Sequence, residues 1–542
     1  TTSNKMSDYN KGLFKSWVPK PVQLLLILLF TTVIMSVNPV NTGNISMMVS
    51  DLGTMPEYLM MANFASFIGM ATSMPLVLRV KMRFRTKEIM IFSLAVTALL
   101  SFVIGTTTVP EIIVAASFLM GFFKMFMMME FILPLMFILS PDGKRGKFYA
   151  VFYPFSIIAG NISGYYLAKL AYHTTWQYPH LLTAGLCLIL MMITVIFQHN
   201  QRFARKMPFS QIDWLSIVLF AATFMFIAFF LSFGKTLDWF EAPNIRIAFW
   251  GTVICFLLLT LRQLSLKRSY ISFGIFTKSN VQSGLLMLLF TGVFLGAGTL
   301  QNTFTVGILG YDMITNASLN MMMVPGVLLA GVVAFYWFKN ERPLKMFVFS
   351  GFAAFFLNSV MMYFMMVPEL NYESWLLPMI LKGYGLGTLF IAVWFYTLDR
   401  LEMEPMLQAI GLILVFRSFV ATAVFSSFFS WLQYRFQWES VNNLAVYLDG
   451  NLMSTQSALA GYKNLQVNAI LVANKKIYGL IAIAAVGMMI YVLQHHFGKL
   501  RFTRFRWTKA RFTGSSRRRK NADKKILRER VEEIEDAAGS FL

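Results

Sequence analysis

The sequence predicts an all-α polytopic membrane protein with fourteen transmembrane helices. Of its 542 residues, 57% are apolar and only 13% are charged, whereas about a quarter of the residues of a soluble chain are charged. Apolar stretches of about twenty residues recur along the chain, and that length crosses the hydrocarbon core of a bilayer. This composition excludes a soluble enzyme, a disordered scaffold and a disulfide-rich secreted domain. The stretches are also too long for the strands of an outer-membrane barrel.

Fourteen apolar stretches are the candidate helices. Two of them, 111–139 and 282–309, are longer than a straight span, so we expect each to tilt or to extend past the bilayer. The first is full length and no small-residue cleavage site follows it, so we expect it to be retained as a helix. In chain order the stretches are 21–42, 58–79, 88–106, 111–139, 148–171, 180–198, 213–233, 246–262, 282–309, 317–338, 344–366, 376–398, 407–432 and 477–497.

Basic residues collect in alternate loops, which predicts the orientation of the helices. Lysine and arginine crowd the N-terminal arm, the segment 79–87 and alternate loops after it, while the loops between these are poor in bases. The loop 399–406 is the weak case, with Arg400 set against Asp399, Glu402 and Glu404. Cytoplasmic loops show this excess. With an even number of helices, both termini are predicted to be cytoplasmic. The net charge of +22 therefore suits an anionic membrane surface, and we expect no nucleic-acid partner.

Signatures of enzymes and metal sites are missing from the sequence. The five histidines form no metal-binding motif, and Cys187 and Cys255 lie in separate apolar stretches. Gly383, Gly385 and Gly387 lie inside an apolar helix, where glycines let helices approach closely, and do not predict a nucleotide loop. We expect no enzymatic activity, no cofactor and no bound metal.

Four charged residues lie deep in predicted helices and are the candidates for function. They are Lys124, Glu130, Lys382 and Arg417. A charge at the bilayer centre costs about 2.5 kcal/mol or more unless it faces a cavity or a partner. Glu130 is the only deep carboxylate, so it is either a proton carrier or half of a structural ion pair with a base on a facing helix. Lys124 and Glu130 are six residues apart, so their side chains leave the helix on different sides and a direct ion pair between them is unfavourable.

Three polar residues share one face of the first predicted helix. Asn38, Asn41 and Thr42 follow a spacing of three and four residues around Pro39. Such a face looks onto either a cavity or a neighbouring helix to which it donates hydrogen bonds.

Several strings, in order along the chain, resemble one transporter family. They are PDGKRGKFYAVF (141–152), SQIDWLSIVLF (210–220), GKTLDWF (234–240), IFTKSN (275–280) and VFRSF around Arg417. In order and spacing the chain resembles the fourteen-helix drug/proton antiporter group of the major facilitator superfamily, its EmrB/QacA-like branch. It departs from that group in having Asn38 near the position of the usual first-helix aspartate and Ser117 in place of a fourth-helix arginine. The motif of the fifth helix lacks its proline and reads Gly160-Asn161-Ile-Ser-Gly164.

The resemblance implies a major facilitator fold of two six-helix bundles. The implied parts are a cytoplasmic arm 1–20, a first bundle 21–198, two additional helices with linkers 199–281, a second bundle 282–497 with a long outer loop 433–476, and a basic cytoplasmic tail 498–542. A substrate cavity between the bundles is expected near the middle of the membrane. Its expected lining residues are Asn38, Asn41, Thr42, Lys124, Asn161, Lys382 and Arg417, and Glu130 is expected to couple transport to protons.

The expected function is secondary active export of an amphipathic or hydrophobic compound across the inner membrane, driven by protons. The resemblance adds a periplasmic adaptor and an outer-membrane channel as partners for the loop 433–476. Two alternatives remain open. The surplus of deep bases over one carboxylate suits export of an endogenous anionic lipid or metabolite. The departures from the family also suit a membrane partner protein that does not transport.

Overall fold

The computed structural model describes residues 13–38, 44–139, 146–201, 212–266, 270–399, 401, 403–445 and 455–497. In this part of the chain, long helices joined by short turns account for nearly all residues, and the regular structure outside helices is the antiparallel bridge between Phe14 and Gln198. Twelve helical segments are long and apolar enough to cross a membrane. The protein is therefore a multi-pass membrane protein, as its composition predicts.

The described residues of the first half of the chain form ten α-helices. They are α1 Lys20–Ser36, α2 Ile45–Leu52, α3 Pro56–Ser73, α4 Val77–Arg83, α5 Thr86–Thr106, α6 Pro110–Leu139, α7 Gly146–His173, α8 Tyr178–Phe197, α9 Trp214–Phe233 and α10 Pro243–Ser265. A 3-10 turn at Met74–Leu76 joins α3 to α4. As expected for its length, α6 is one helix of 30 residues, about 45 Å long at 1.5 Å per residue.

Nine more α-helices lie in the part of the second half that the structure describes. They are α11 Ser279–Gly296, α12 Gly298–Gly307, α13 Met313–Met321, α14 Val324–Lys339, α15 Leu344–Met365, α16 Leu376–Thr397, α17 Met403–Leu414, α18 Phe425–Ala445 and α19 Thr455–Gln494. A π-helical segment, Val415–Val424, joins α17 to α18.

Two expected boundaries are corrected. The first helix ends at Ser36 and not at 42, and a short helix, α2, begins at Ile45. The expected outer loop 433–476 is largely helical, because α18 continues to Ala445 and α19 begins at Thr455. Polar residues such as Gln433 and Asn474 hydrogen-bond across the two helices at 2.9 Å, so a polar sequence here indicates a helix pair and not a loop. Pro39, Asn41 and Thr42 lie outside the described residues, as do residues 446–454.

Contacts between loops define two ends of the molecule. At one end, the backbone of Lys15 donates to Phe197 at 2.9 Å and Thr86 donates to Gln201 at 3.2 Å. At the other, the Trp176 indole donates to Asp51 at 2.5 Å. The first end carries Arg83, Lys87, Arg262, Lys339 and Arg342 beside its loops. We call it the basic end, and the other the opposite end.

Glycines fix how two helices of the first bundle meet. A Cβ atom added to Gly69 of α3 would overlap the backbone of Phe118 and Phe122 in α6. A Cβ added to Gly121 of α6 would overlap the backbone of Ser66 in α3. The two backbones therefore touch without intervening side chains, which small residues permit in membrane helices.

The same contact recurs in the second bundle. A Cβ added to Gly326 of α14 would overlap the backbone of Ile380 and Tyr384 in α16, and one added to Gly383 would overlap that of Met323. The contacting residues of α3 and α14 differ by 257 in residue number, as for Gly69 and Gly326. Those of α6 and α16 differ by 262, as for Gly121 and Gly383. The two bundles are therefore structural repeats, with α3 equivalent to α14 and α6 to α16.

These contacts make glycine obligatory at position 121. We expect Gly121→Ala to lower the stability of the protein, because overpacking against a well-packed neighbour costs about 1–3 kcal/mol. Gly185→Ala is the matched control, since no atom lies within 4 Å of its added Cβ and alanine in a helix is favoured over glycine by about 0.5–1 kcal/mol. Thermal unfolding in one detergent measures both. Equal melting temperatures for the two variants would contradict the close contact.

The additional helices α9 and α10 form an antiparallel pair held at the basic end. Asp213 caps α9 by accepting from the Ser216 amide at 3.3 Å, and Arg262 of α10 donates to Asp213 at 2.8 and 2.9 Å. Burial raises the pKa of Asp213, but the hydrogen bonds from Arg262 and Ser216 outweigh it and hold the pKa below its usual value. The Asp-Trp of the string SQIDWLSIVLF is thus the start of a capped helix.

Candidate functional site

Lys124 is buried among neutral hydrogen-bond acceptors. It lies near the middle of α6 and is 7% exposed. Its Nζ donates to the Val37 carbonyl at 2.6 Å and to Asn38 Oδ1 at 3.5 Å. Because α1 ends at Ser36, the carbonyl of Val37 is available to accept from a side chain. The early end of the first helix therefore supplies the partner of this lysine.

Lys382 has the equivalent arrangement in the second bundle. Its Nζ donates to Gln301 Oε1 at 2.8 Å. Gln301 lies in α12, just past the break that separates α11 from α12 at Ala297. The Ala297 carbonyl at this break accepts from the backbone amide of Gln301 at 3.1 Å and also from the Tyr478 hydroxyl at 3.3 Å. In both bundles, a lysine is held where the first helix is interrupted.

Arg417 lies against aromatic side chains between the bundles. Its Cζ is 4.0 Å from the centre of the Phe390 ring, a cation–π contact. It lies within the π-helical segment, and such segments are frequent at functional sites. The guanidinium lines a cavity whose other walls include Tyr153 of α7 and Trp394 of α16, with ring centres 5.2 Å apart.

This cavity is narrow and its walls are mostly apolar. Its free volume of about 60 Å³ has room for only a few water molecules. Both bundles contribute side chains, so the cavity lies at their interface. Its walls include Met125, Met128, Met129, Tyr149 and Met406.

Glu130 forms an ion pair that the sequence analysis did not assign. Lys81 Nζ lies 2.9 Å from Glu130 Oε2, and the two side chains are 1% and 2% exposed. The sequence groups Lys81 with the loop bases of 79–87, but α4 carries it into the protein interior. The prediction that Glu130 and Lys124 do not pair with each other is confirmed.

Among these residues at membrane depth, basic side chains therefore outnumber carboxylates. Glu130 is already matched by Lys81, while Lys124, Lys382 and Arg417 contact a carbonyl, an amide and an aromatic ring. Within the described ranges, none of these three bases lies within ion-pairing distance of a carboxylate. Neutral acceptors satisfy the hydrogen bonds of a buried cation but leave its charge uncompensated.

Asn161 lies on an open face of α7. Its Nδ2 is buried and has no hydrogen-bond partner among the described residues. A Cβ added at Gly160 or Gly164 would meet no atom within 4 Å. This stretch of α7 therefore borders open space at Gly160 and Gly164 and carries one buried amide nitrogen that donates to no described residue. Asn38, by contrast, is exposed.

Lys81, Tyr153 and Trp394 are the main residues of the site that the sequence analysis missed. Tyr149 and Tyr153 are four residues apart on α7 and so share one face of the helix. That spacing is a usable signal, but the 54 phenylalanines and 20 tyrosines of the chain obscure it.

No protein-family model matches the sequence, and no curated protein matches it. Solved structures do resemble the fold. A point mutant of the nucleoside transporter NupG is 13% identical, covers 86% of this chain and 98% of its own, and has a TM-score of 0.52. Tetrameric PepTSo2 is 12% identical, covers 86% of this chain and 96% of its own, and has a TM-score of 0.54. At 12–13% identity, this likeness is one of fold alone. It contains nothing specific to the drug/proton antiporter branch.

Proposed function

We propose that the protein is a secondary transporter that moves an amphipathic compound across the membrane by alternating access. The observation that carries the proposal is the cavity between the two halves of the chain, which the deep Arg417 lines, in a fold like that of the transporter NupG. Charges at membrane depth are costly, and in transporters they line substrate and ion pathways. Methionine and aromatic walls suit an apolar substrate body.

The proposed transporter crosses the membrane fourteen times. The twelve segments already described would be joined by α1, whose apolar part Pro21–Ser36 is shorter, and by α7, which is 28 residues long but carries polar residues. Helices α1–α8 would form the first bundle and α11–α19 the second, with α9 and α10 as the additional pair. The basic loops support a cytoplasmic basic end in the inner membrane, and export is the proposed direction.

Proton coupling through Glu130 is part of the proposal. A carboxylate paired with a buried lysine changes its surroundings when it takes up a proton, because the ion pair is lost. Protonation of Glu130 would therefore break its ion pair with Lys81 and loosen the contact between α4 and α6 at the basic end. Proton uptake by Glu130 would in this way be coupled to a movement of α4 relative to α6.

A partner at the opposite end is also proposed. Beyond position 432, α18 continues for 13 residues, about 20 Å of helix. It packs along α19, and Lys476 pairs with Glu439 at 3.3 Å. This projecting helix pair is the proposed contact for a periplasmic adaptor and, through it, an outer-membrane channel.

Flux into proteoliposomes tests the transport proposal. Suitable probes are pyrenylbutyl sulfonate and pyrenylbutyl trimethylammonium, whose permanent charges prevent a pH gradient from moving them passively. We expect an imposed pH gradient to drive accumulation of at least one probe above that of empty liposomes, and a protonophore to abolish it. If folded protein moves neither probe, the proposal is wrong and a membrane partner without transport activity is favoured.

A further inference from the structure

We propose that Lys382, Lys124 and Arg417 form a staggered row of binding positions for an oxyanion, so that the transported compound is an amphipathic anion. We call these three residues the basic row. The inference rests on the proposed transport function and specifies its substrate class. The group recognised is a carboxylate, sulfonate or phosphate joined to an apolar body.

The repeat of the two bundles relates the two lysines. The offset of 262 that maps α6 onto α16 takes Lys124 to the position of Leu386. Leu386 lies four residues after Lys382, and residues four apart lie on the same face of a helix. The lysines therefore project from equivalent faces of equivalent helices, one from each bundle. Each also contacts the first helix of its own bundle.

The same mapping gives their relative depth. Four residues of helix correspond to a rise of about 6 Å, so Lys124 lies one turn nearer the basic end than Lys382. The guanidinium of Arg417 lies over the ring of Phe390. Phe390 follows Leu386 by four residues, so it lies about 6 Å nearer the basic end than the level of Lys124. The three cations are therefore spaced by single helical turns along the membrane normal.

The contacts of the basic row are of the kind that an anion can replace. Each base is held by a neutral partner: the Val37 carbonyl, the Gln301 amide or the Phe390 ring. A hydrogen bond between two ionised groups is roughly twice as strong as one between neutral groups. An oxyanion entering the row would exchange neutral contacts for charged ones and compensate buried positive charge. A cationic substrate would meet repulsion from all three bases.

The row ends at an apolar cavity. Trp394 follows Phe390 by one more turn of α16 and, with Tyr153 and Met129, forms walls of the cavity beside Arg417. The cavity now holds only a few water molecules, so an apolar body would lie against these walls, with its charged group on the guanidinium, once the bundles move apart. This combination of apolar walls with a few well-placed charged groups is typical of small-molecule sites.

Three probes with one apolar body test the inference. They are pyrenylbutyl sulfonate, the neutral pyrenylbutanamide and pyrenylbutyl trimethylammonium. Binding to the full-length protein in nanodiscs is measured by energy transfer from tryptophan to pyrene, with empty nanodiscs as background. We expect the sulfonate to bind at least about tenfold more tightly than the amide, a difference of about 1.4 kcal/mol, and the ammonium to bind more weakly than the amide.

Substitutions in the row are expected to remove this preference selectively. Lys382→Met and the double variant Lys124→Met/Lys382→Met are expected to weaken sulfonate binding by about tenfold or more and to reduce the ratio of sulfonate to amide affinity accordingly. Lys382→Arg, which keeps the charge, is expected to retain the preference. Lys463→Met removes an exposed base of α19 and is the matched control. Thermal unfolding shows whether each variant is folded. Lys382 is half-buried, so the single variant Lys382→Met still tests the inference if the double variant does not fold.

The outcomes separate this inference from the transport proposal. If both charged probes are transported equally, or the ammonium is preferred, the anion inference is wrong and transport stands. Unchanged sulfonate preference in folded Lys382→Met and double variants also overturns the inference. If wild-type protein neither binds nor transports any probe, both proposals fail.

Discussion

Joining positions 74 and 411 by a disulfide is expected to stop transport completely. Met74 lies where α3 ends and Gly411 lies in α17, so the pair connects the first bundle to the second near the basic end. A Cβ atom at position 411 lies 3.5 Å from the Cβ of Met74, and disulfides join Cβ atoms about 3.5–4.5 Å apart. Alternating access requires the bundles to separate at this end, and a covalent bond prevents that separation.

The experiment uses Met74→Cys/Gly411→Cys in a chain whose Cys187 and Cys255 are replaced. Probe flux into proteoliposomes is compared after oxidation and after reduction, and reduction is expected to restore it. A crosslink within one bundle is the control: a Cβ at Gly105 lies 3.2 Å from that of His180, so Gly105→Cys/His180→Cys joins α5 to α8 with a small shift. Full transport by the oxidised Met74/Gly411 pair would contradict alternating access.

Replacing the Glu130 carboxylate is expected to abolish accumulation driven by a pH gradient. Glu130→Gln cannot exchange a proton, and it also removes the carboxylate that faces Lys81 at 2.9 Å. Removing one partner of a buried pair costs about 3–5 kcal/mol in soluble proteins, because the other charge stays buried. Loss of transport by this variant alone therefore does not separate coupling from misfolding.

The double variant Lys81→Met/Glu130→Leu makes that separation. Replacing both members of a buried pair by apolar residues of similar size is often neutral or stabilising, so its melting temperature is expected to stay near that of the wild type. Downhill probe exchange should continue while gradient-driven accumulation is lost. If the double variant still concentrates the probe against its gradient, Glu130 and Lys81 are a structural pair and protons couple elsewhere.

Local sequence was sufficient to predict the class of the fold and the residues at membrane depth. Chain length and hydropathy predict apolar helices, and the cost of burying a charge makes Lys124, Glu130, Lys382 and Arg417 conspicuous in any apolar stretch. The spacing along a helix was also enough to predict that Lys124 and Glu130 face different partners. These properties depend on neighbours within a few turns of one helix.

The tertiary structure alone decided how those residues are partnered. Lys81 and Glu130 are 49 positions apart, and Lys382 and Gln301 are 81 apart, so no local pattern could identify either pair. The helical continuation through 433–445 also follows from packing between distant segments. A hydropathy pattern determines which residues enter the membrane. Which buried charge meets a carboxylate and which meets a neutral acceptor depends on helix packing, because contact between distant segments sets the compensation of charge.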